Sequence, residues 1–94
     1  MSVPGSFRSD TSDPSTDIEP VTILNLSLGG AFIAYRRIPM GTRSLLRFTV
    51  PDQDVTIETE VTVRWNDDSG IGVQFDGLRA RDVWALSKYL EPTP

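Results

Sequence analysis

Six consecutive residues, Asn25-Leu26-Ser27-Leu28-Gly29-Gly30, hold the densest recognition chemistry in the chain. In an extended strand Asn25 and Ser27 face one way, and Leu24, Leu26 and Leu28 face the other. Two small side chains with donors and acceptors then stand together at a strand end. Gly29 and Gly30 follow, and glycine permits positive φ and close backbone approach by a ligand. Such a set suits a planar polar edge, for example a nucleobase. The same residues also simply make a turn, because Asn and Ser bond their own backbone and Gly-Gly bends it. The six residues alone leave both readings open.

Other groupings carry less chemistry. Arg36, Arg37, Arg43 and Arg47 flank one hairpin and suit either an anion site or a solvated strand face that blocks edge pairing. Glu58 and Glu60 share a strand face, and Asp67-Asp68 sits in a turn. Paired carboxylates suit a hard cation, but no EF-hand-like spacing accompanies them, so no metal site is assigned. Arg81, Trp84 and Lys88 lie on one side of a C-terminal helical pattern. An off-core tryptophan beside two cations has the composition of a partner-binding hot spot, or else packs under a loop at the domain rim.

What is missing excludes more. The 94 residues contain no His and no Cys. That removes the usual general base, the usual zinc ligands and any disulfide framework. Lys plus Arg is 9 against 13 Asp plus Glu, a net charge of −4, which argues against nucleic acid as a partner. No catalytic residues are assigned, and a non-enzymatic binding or regulatory module is expected.

The elements that position these residues follow from periodicity. Residues 1–19 are mostly Ser, Thr, Asp, Pro and Gly and read as a flexible, acidic tail. The folding unit is then 20–94. Two-residue alternation marks five strands: Val21 to Leu26, Ala31 to Tyr35, one through Leu46, Phe48 and Val50, Asp54 to Trp65, and one through Ile71, Val73 and Phe75. Val55, Ile57, Val61, Val63 and Trp65 share the core face of the fourth. Pro51-Asp52-Gln53 and the stretch from Asn66 to Gly70 are turns. The period changes at Leu78, and Val83, Leu86 and Leu90 make one helical face over 78–91, with Asp76 as N-cap and Pro92 as stop. The expected fold is mainly β: a small antiparallel barrel of five to six strands in one meander, with one C-terminal helix. The uncharged run from Pro20 to Tyr35 is too short and too polar to span a bilayer, so a soluble, cytoplasmic chain without membrane insertion is expected.

Taken together, the ordered motifs resemble the PilZ family. Its signature, Asp/Asn-x-Ser-x-x-Gly at a strand end, is matched by Asn25, Ser27 and Gly30. Ala31-Phe32-Ile33, the Pro39-x-Gly41 turn, the run Gly70-Ile71-Gly72-Val73-Gln74-Phe75 and a terminal helix are also similar to that family. The resemblance covers residues 20 to 91. It implies a six-stranded barrel in bacterial second-messenger signalling, with Asn25, Ser27, Gly29 and Gly30 as half of a cyclic di-GMP site. The other half in ligand-binding members is Arg-x-x-x-Arg before the first strand. Here Arg8 is the one upstream arginine and Ser12 stands four residues on. Guanidinium gives bidentate bonds to phosphate and stacks on bases, so its loss weakens the site.

The leading expectation is therefore a non-enzymatic adaptor in the cyclic di-GMP and motility context. It would touch a bacterial signalling or motility protein, with weak or no nucleotide binding and no cofactor. The alternative is a genuine cyclic di-GMP receptor using Asn25, Ser27 and Gly30. An oligonucleotide-binding barrel is a third class, disfavoured because Phe48, Trp65 and Phe75 fall in the core phase. A barrel lacking its first strand would leave an open edge, at which a homodimer could form.

Overall fold

The computed structural model describes residues 2–51 and 53–90. Alternating apolar residues build six strands: β1 Val3–Arg8, β2 Ile18–Leu26, β3 Gly30–Ala34, β4 Arg43–Val50, β5 Val55–Asp67 and β6 Gly70–Phe75. They close into an antiparallel barrel in the order β1-β2-β3-β6-β5-β4. Inward-facing Phe7, Ile23, Ile33, Leu46, Phe48, Ile57, Val61, Val63 and Ile71 fill it. One helix, α1 Ala80–Leu90, comes after the last strand and packs on β4 and β5. The expected class, a mainly β antiparallel barrel with one C-terminal helix, is the observed one.

The expected flexible tail is corrected. Residues 3–8 form β1, which pairs with β2 on one side and β4 on the other. Val3 and Phe7 are buried in the core. Three inward positions read Val3, Gly5 and Phe7, and Gly5 serves the packing: a Cβ there would stand 2.9 Å from the Arg47 carbonyl oxygen. Pro4 and Gly5 look like a turn in isolation, and pairing on both edges overrides that local preference. The folding unit therefore starts ahead of Pro20.

The barrel consequently has no missing first strand and no open edge, so a homodimer through such an edge has no basis. The strands also do not run as one meander, because β3 pairs with β6 while β4 returns to β1.

The helix differs in detail from its expected pattern. Asp82, Ala85 and Leu86 are buried, while Val83 is exposed and Leu90 half-buried. The inward face is thus rotated from the Val83/Leu86/Leu90 face. Asp76 is not the N-cap, since α1 begins only at Ala80; its Oδ2 instead accepts a hydrogen bond from Thr62 Oγ1 at 2.6 Å. Asp82 reaches back instead, its Oδ2 accepting the Arg79 N–H at 3.1 Å, which is one half of a capping box. Asp52 of the expected turn, and residues 91 and 92 at the expected helix end, lie outside the described residues.

Arg36 is 3.5 Å from Glu19, Arg37 is 2.8 Å from Asp68 and Arg43 is 3.5 Å from Glu60. Arg47 stands opposite Glu58 in the β4–β5 register. These arginines face separate carboxylates rather than converging on one anion.

Candidate functional site

Two β-bulges shape the outer wall of the barrel. In β2 the register slips between Ile23 and Asn25, so Leu24 is an extra residue against β3. In β5 it slips between Val63 and Trp65, so Arg64 is extra against β6. A bulge reverses the side-chain phase and re-aims the residues beyond it. Leu24 turns outward, so Leu24, Leu26 and Leu28 do not share a face; only Leu26 is buried. Trp65 also turns outward and keeps 49% of its surface exposed, a correction to its expected core position.

Beyond the bulges four residues align in one row across four strands. Asn25 stands opposite Phe32, Phe32 opposite Gly72, and Gly72 opposite Trp65. Gly72 presents no side chain, and the Trp65 indole lies over it; a Cβ there would overlap Nε1 of the ring. Trp65 thereby reaches Phe32 and stacks on it, with centroids 4.9 Å apart and planes 7° from parallel. Covering a strand glycine with an aromatic ring is a known way of stabilising a sheet. Here it also builds a flat, half-exposed aromatic surface.

The signature residues border that surface. Ser27 lies just past the end of β2 and closes a turn with Gly30. Its N–H donates to the Gly30 carbonyl at 2.9 Å, and its Oγ accepts the Gly30 N–H at 3.2 Å. Asn25 Oδ1 accepts the Leu26 N–H at 2.9 Å. The turn reading of the hexapeptide is therefore real, and it coexists with an exposed Asn25 and Ser27. Gly29 and Gly30 have ordinary negative φ, as Gly41 is the positive-φ glycine among the described residues. Gly30 is needed for a different reason: a Cβ there would overlap the Val73 carbonyl of β6.

Together these residues line an open cleft of about 610 Å³. Asn25, Ser27, Gly29 and Gly30 form one side, and Phe32, Trp65 and Gly72 the floor. Arg64 and Gln74 complete it, with Arg64 Nε donating to Gln74 Oε1 at 2.7 Å. Sequence reasoning placed Asn25, Ser27, Gly29 and Gly30 together and missed Trp65, Arg64, Gln74 and Gly72. A glycine at an outward strand position facing a tryptophan was the available signal. The bulges themselves had none. Since Trp65 faces out, its core phase no longer counts against base stacking.

Arg8 does not belong to this cleft. It ends β1 rather than preceding it, and its guanidinium bonds Thr16 Oγ1 at 3.2 Å and the Asp13 carbonyl at 3.3 Å in the β1–β2 loop. Arg8 and Ser12 thus do not occupy the place of an arginine pair ahead of the first strand, since both lie after the start of β1. Arg81, Trp84 and Lys88 sit elsewhere, on the solvent side of α1, and all three are exposed or half-exposed. Trp84 is not packed under a loop.

Comparison with known proteins agrees with the architecture. No curated protein matches the chain. Among solved structures, the crystal structure of the PilZ domain of CeSA from a cellulose-synthesizing bacterium superposes with a TM-score of 0.68 at 10% identity, covering 94% of this chain and 88% of that one. That likeness bears on the fold. The PilZ domain family model matches residues 2–91, which include β1 and the whole barrel. The chain belongs to the PilZ domain family.

Proposed function

We propose that this chain is a non-enzymatic signalling adaptor of the cyclic di-GMP setting, acting through protein contact and holding nucleotide weakly. PilZ domains are generally non-catalytic binding or adaptor domains, and a bacterial cytoplasmic process such as motility suits that role. The observation that carries the proposal is the charge lining the cleft. Among the described residues Arg64 is its one cation, and Gln74 already engages that guanidinium. Cyclic di-GMP has two phosphate charges, and each charge-assisted hydrogen bond that is lacking forgoes ~1.5–3 kcal/mol. Asn25 Oδ1 and Ser27 Oγ each also accept one backbone N–H of the local turn.

A second reading, a genuine cyclic di-GMP receptor, is favoured by one feature. The Phe32–Trp65 surface offers a π-face at which a guanine could stack, and stacking is worth about 1–3 kcal/mol per base. A titration of the full chain with cyclic di-GMP, followed through the Trp65 indole resonance, separates the two. The adaptor reading expects small, non-saturating shifts. Saturation at micromolar ligand, lost in Ser27→Ala, would establish the receptor instead.

A further inference from the structure

The solvent side of α1 exposes a large apolar side chain between cations. Trp84 leaves 57% of its surface exposed, although its neighbours Ala85 and Leu86 are fully buried. Val83 beside it is exposed as well. Arg81 and Lys88, three residues before Trp84 and four after it, flank it on the exposed face, while Asp82 is 2% exposed and turned inward. In a chain of net charge −4, this helix face is therefore basic.

Arg81 is also oriented in advance. Its Nε lies 3.4 Å from Asp82 Oδ1, and its Nη2 donates to the Thr56 carbonyl at 3.3 Å. Asp82 Oδ1 is buried without a hydrogen-bond partner, so its charge acts on Arg81 through space. A guanidinium held this way loses less conformational freedom when it meets a carboxylate. Exposed Trp and Arg side by side are the residue types that dominate binding energy at protein interfaces.

We infer that this face docks an acidic amphipathic segment of a partner protein. An apolar side chain of the partner lies on Trp84, a carboxylate meets Arg81, and Lys88 extends the basic rim. The inference rests on the reading of the chain as a contact-driven adaptor and names the chemistry of its partner. An anionic membrane shares the charge preference but fits less well. Val83 and Trp84 are too small an apolar face to enter a bilayer interface, and the whole chain is acidic.

Amide and indole resonances of the full chain, followed during addition of a short synthetic Glu/Leu peptide, test this. Shifts should concentrate on Arg81, Trp84 and Lys88, and Trp84→Ala should weaken binding by about tenfold or more. Trp65→Ala should leave it unchanged. Absence of α1 shifts, an equal response to a Lys/Leu peptide, or binding to phosphatidylglycerol vesicles with none to the Glu/Leu peptide would overturn the inference. Cyclic di-GMP reports on the separate Trp65 indole. Tight nucleotide binding would thus contradict the proposed function without moving α1, and a silent α1 would contradict this inference without moving Trp65.

Discussion

Trp65 lies face to face with Phe32, 4.9 Å away, across a residue that has no side chain. Gly72 occupies the intervening position of the same row, and the indole covers it. The flat surface of the cleft thus depends on a bulge at Arg64 and a glycine on the neighbouring strand.

Two glycine substitutions should separate this surface from the fold. In Gly72→Ala the new Cβ meets the indole of an exposed side chain, which can swing away. Stability should fall by about 1 kcal/mol or less, the worth of an aromatic pair, while the near-ultraviolet circular dichroism of the stack is lost. In Gly30→Ala the Cβ meets the backbone carbonyl of Val73, which cannot move without breaking the β3–β6 ladder. That variant should lose about 1–3 kcal/mol or more in denaturant unfolding. Equal losses in the two would mean that the indole is not free to move.

Phe7→Ala tests whether β1 is integral to the domain. The ring is fully buried and meets Tyr35 edge-on at 4.9 Å. Truncating a buried phenylalanine costs about 3–5 kcal/mol, a large share of a small domain's stability. A midpoint of urea unfolding close to that of the parent would return residues 1–19 to the status of a tail.

Alternation made most of the barrel legible. Ile57, Val61 and Val63 declared one buried face because their neighbours are polar, and a strand with one wet face needs only that pattern. β1 was hidden because Gly5 occupies an inward position and Pro4 adjoins it, so its stability comes from pairing with two distant strands. Asn25, Ser27 and Gly30 were legible as a motif. Trp65 was not, because one extra residue in β5 reverses the phase after Val63, and nothing in local composition marks the insertion. Val83 misled for a related reason: an apolar residue at helical spacing need not face the core when Ala85 and Asp82 do.

Alkaline pH should probe the other side of the barrel. Burial raises the Tyr35 phenol above its usual value of 10.0, and its hydrogen bond to the Glu19 carboxylate adds to this. A raised folded value favours the fold while the phenol is neutral. That stabilisation is complete below pH 10.0 and is lost as pH rises through the folded value. Tyr35→Phe should cost about 1 kcal/mol at neutral pH. It should also flatten the decline in stability expected of the parent above pH 10.0. An unchanged alkaline decline would place its origin in other groups.

Acid pH should report on the β5–β6 turn. Asp67 Oδ1 accepts the Ser69 Oγ–H at 2.7 Å and the N–H groups of Ser69 and Gly70. The Ser69 hydroxyl is the largest cause holding this carboxyl below its usual 3.8. A depressed value contributes stability above pH 3.8 that disappears as pH falls through the folded value. A carbon-detected titration of Asp67 should therefore show its midpoint rising towards 3.8 in Ser69→Ala. A midpoint identical to the parent's would assign the depression to the backbone N–H groups alone.

Calorimetric titration of the full chain with cyclic di-GMP tests the central claim most directly. With one arginine among the described residues of the cleft, the account predicts a dissociation constant weaker than about 10 µM, unchanged within about twofold by Asn25→Ala. A dissociation constant of about 1 µM or tighter, abolished by Ser27→Ala or Asn25→Ala, would contradict it and make the chain a nucleotide receptor.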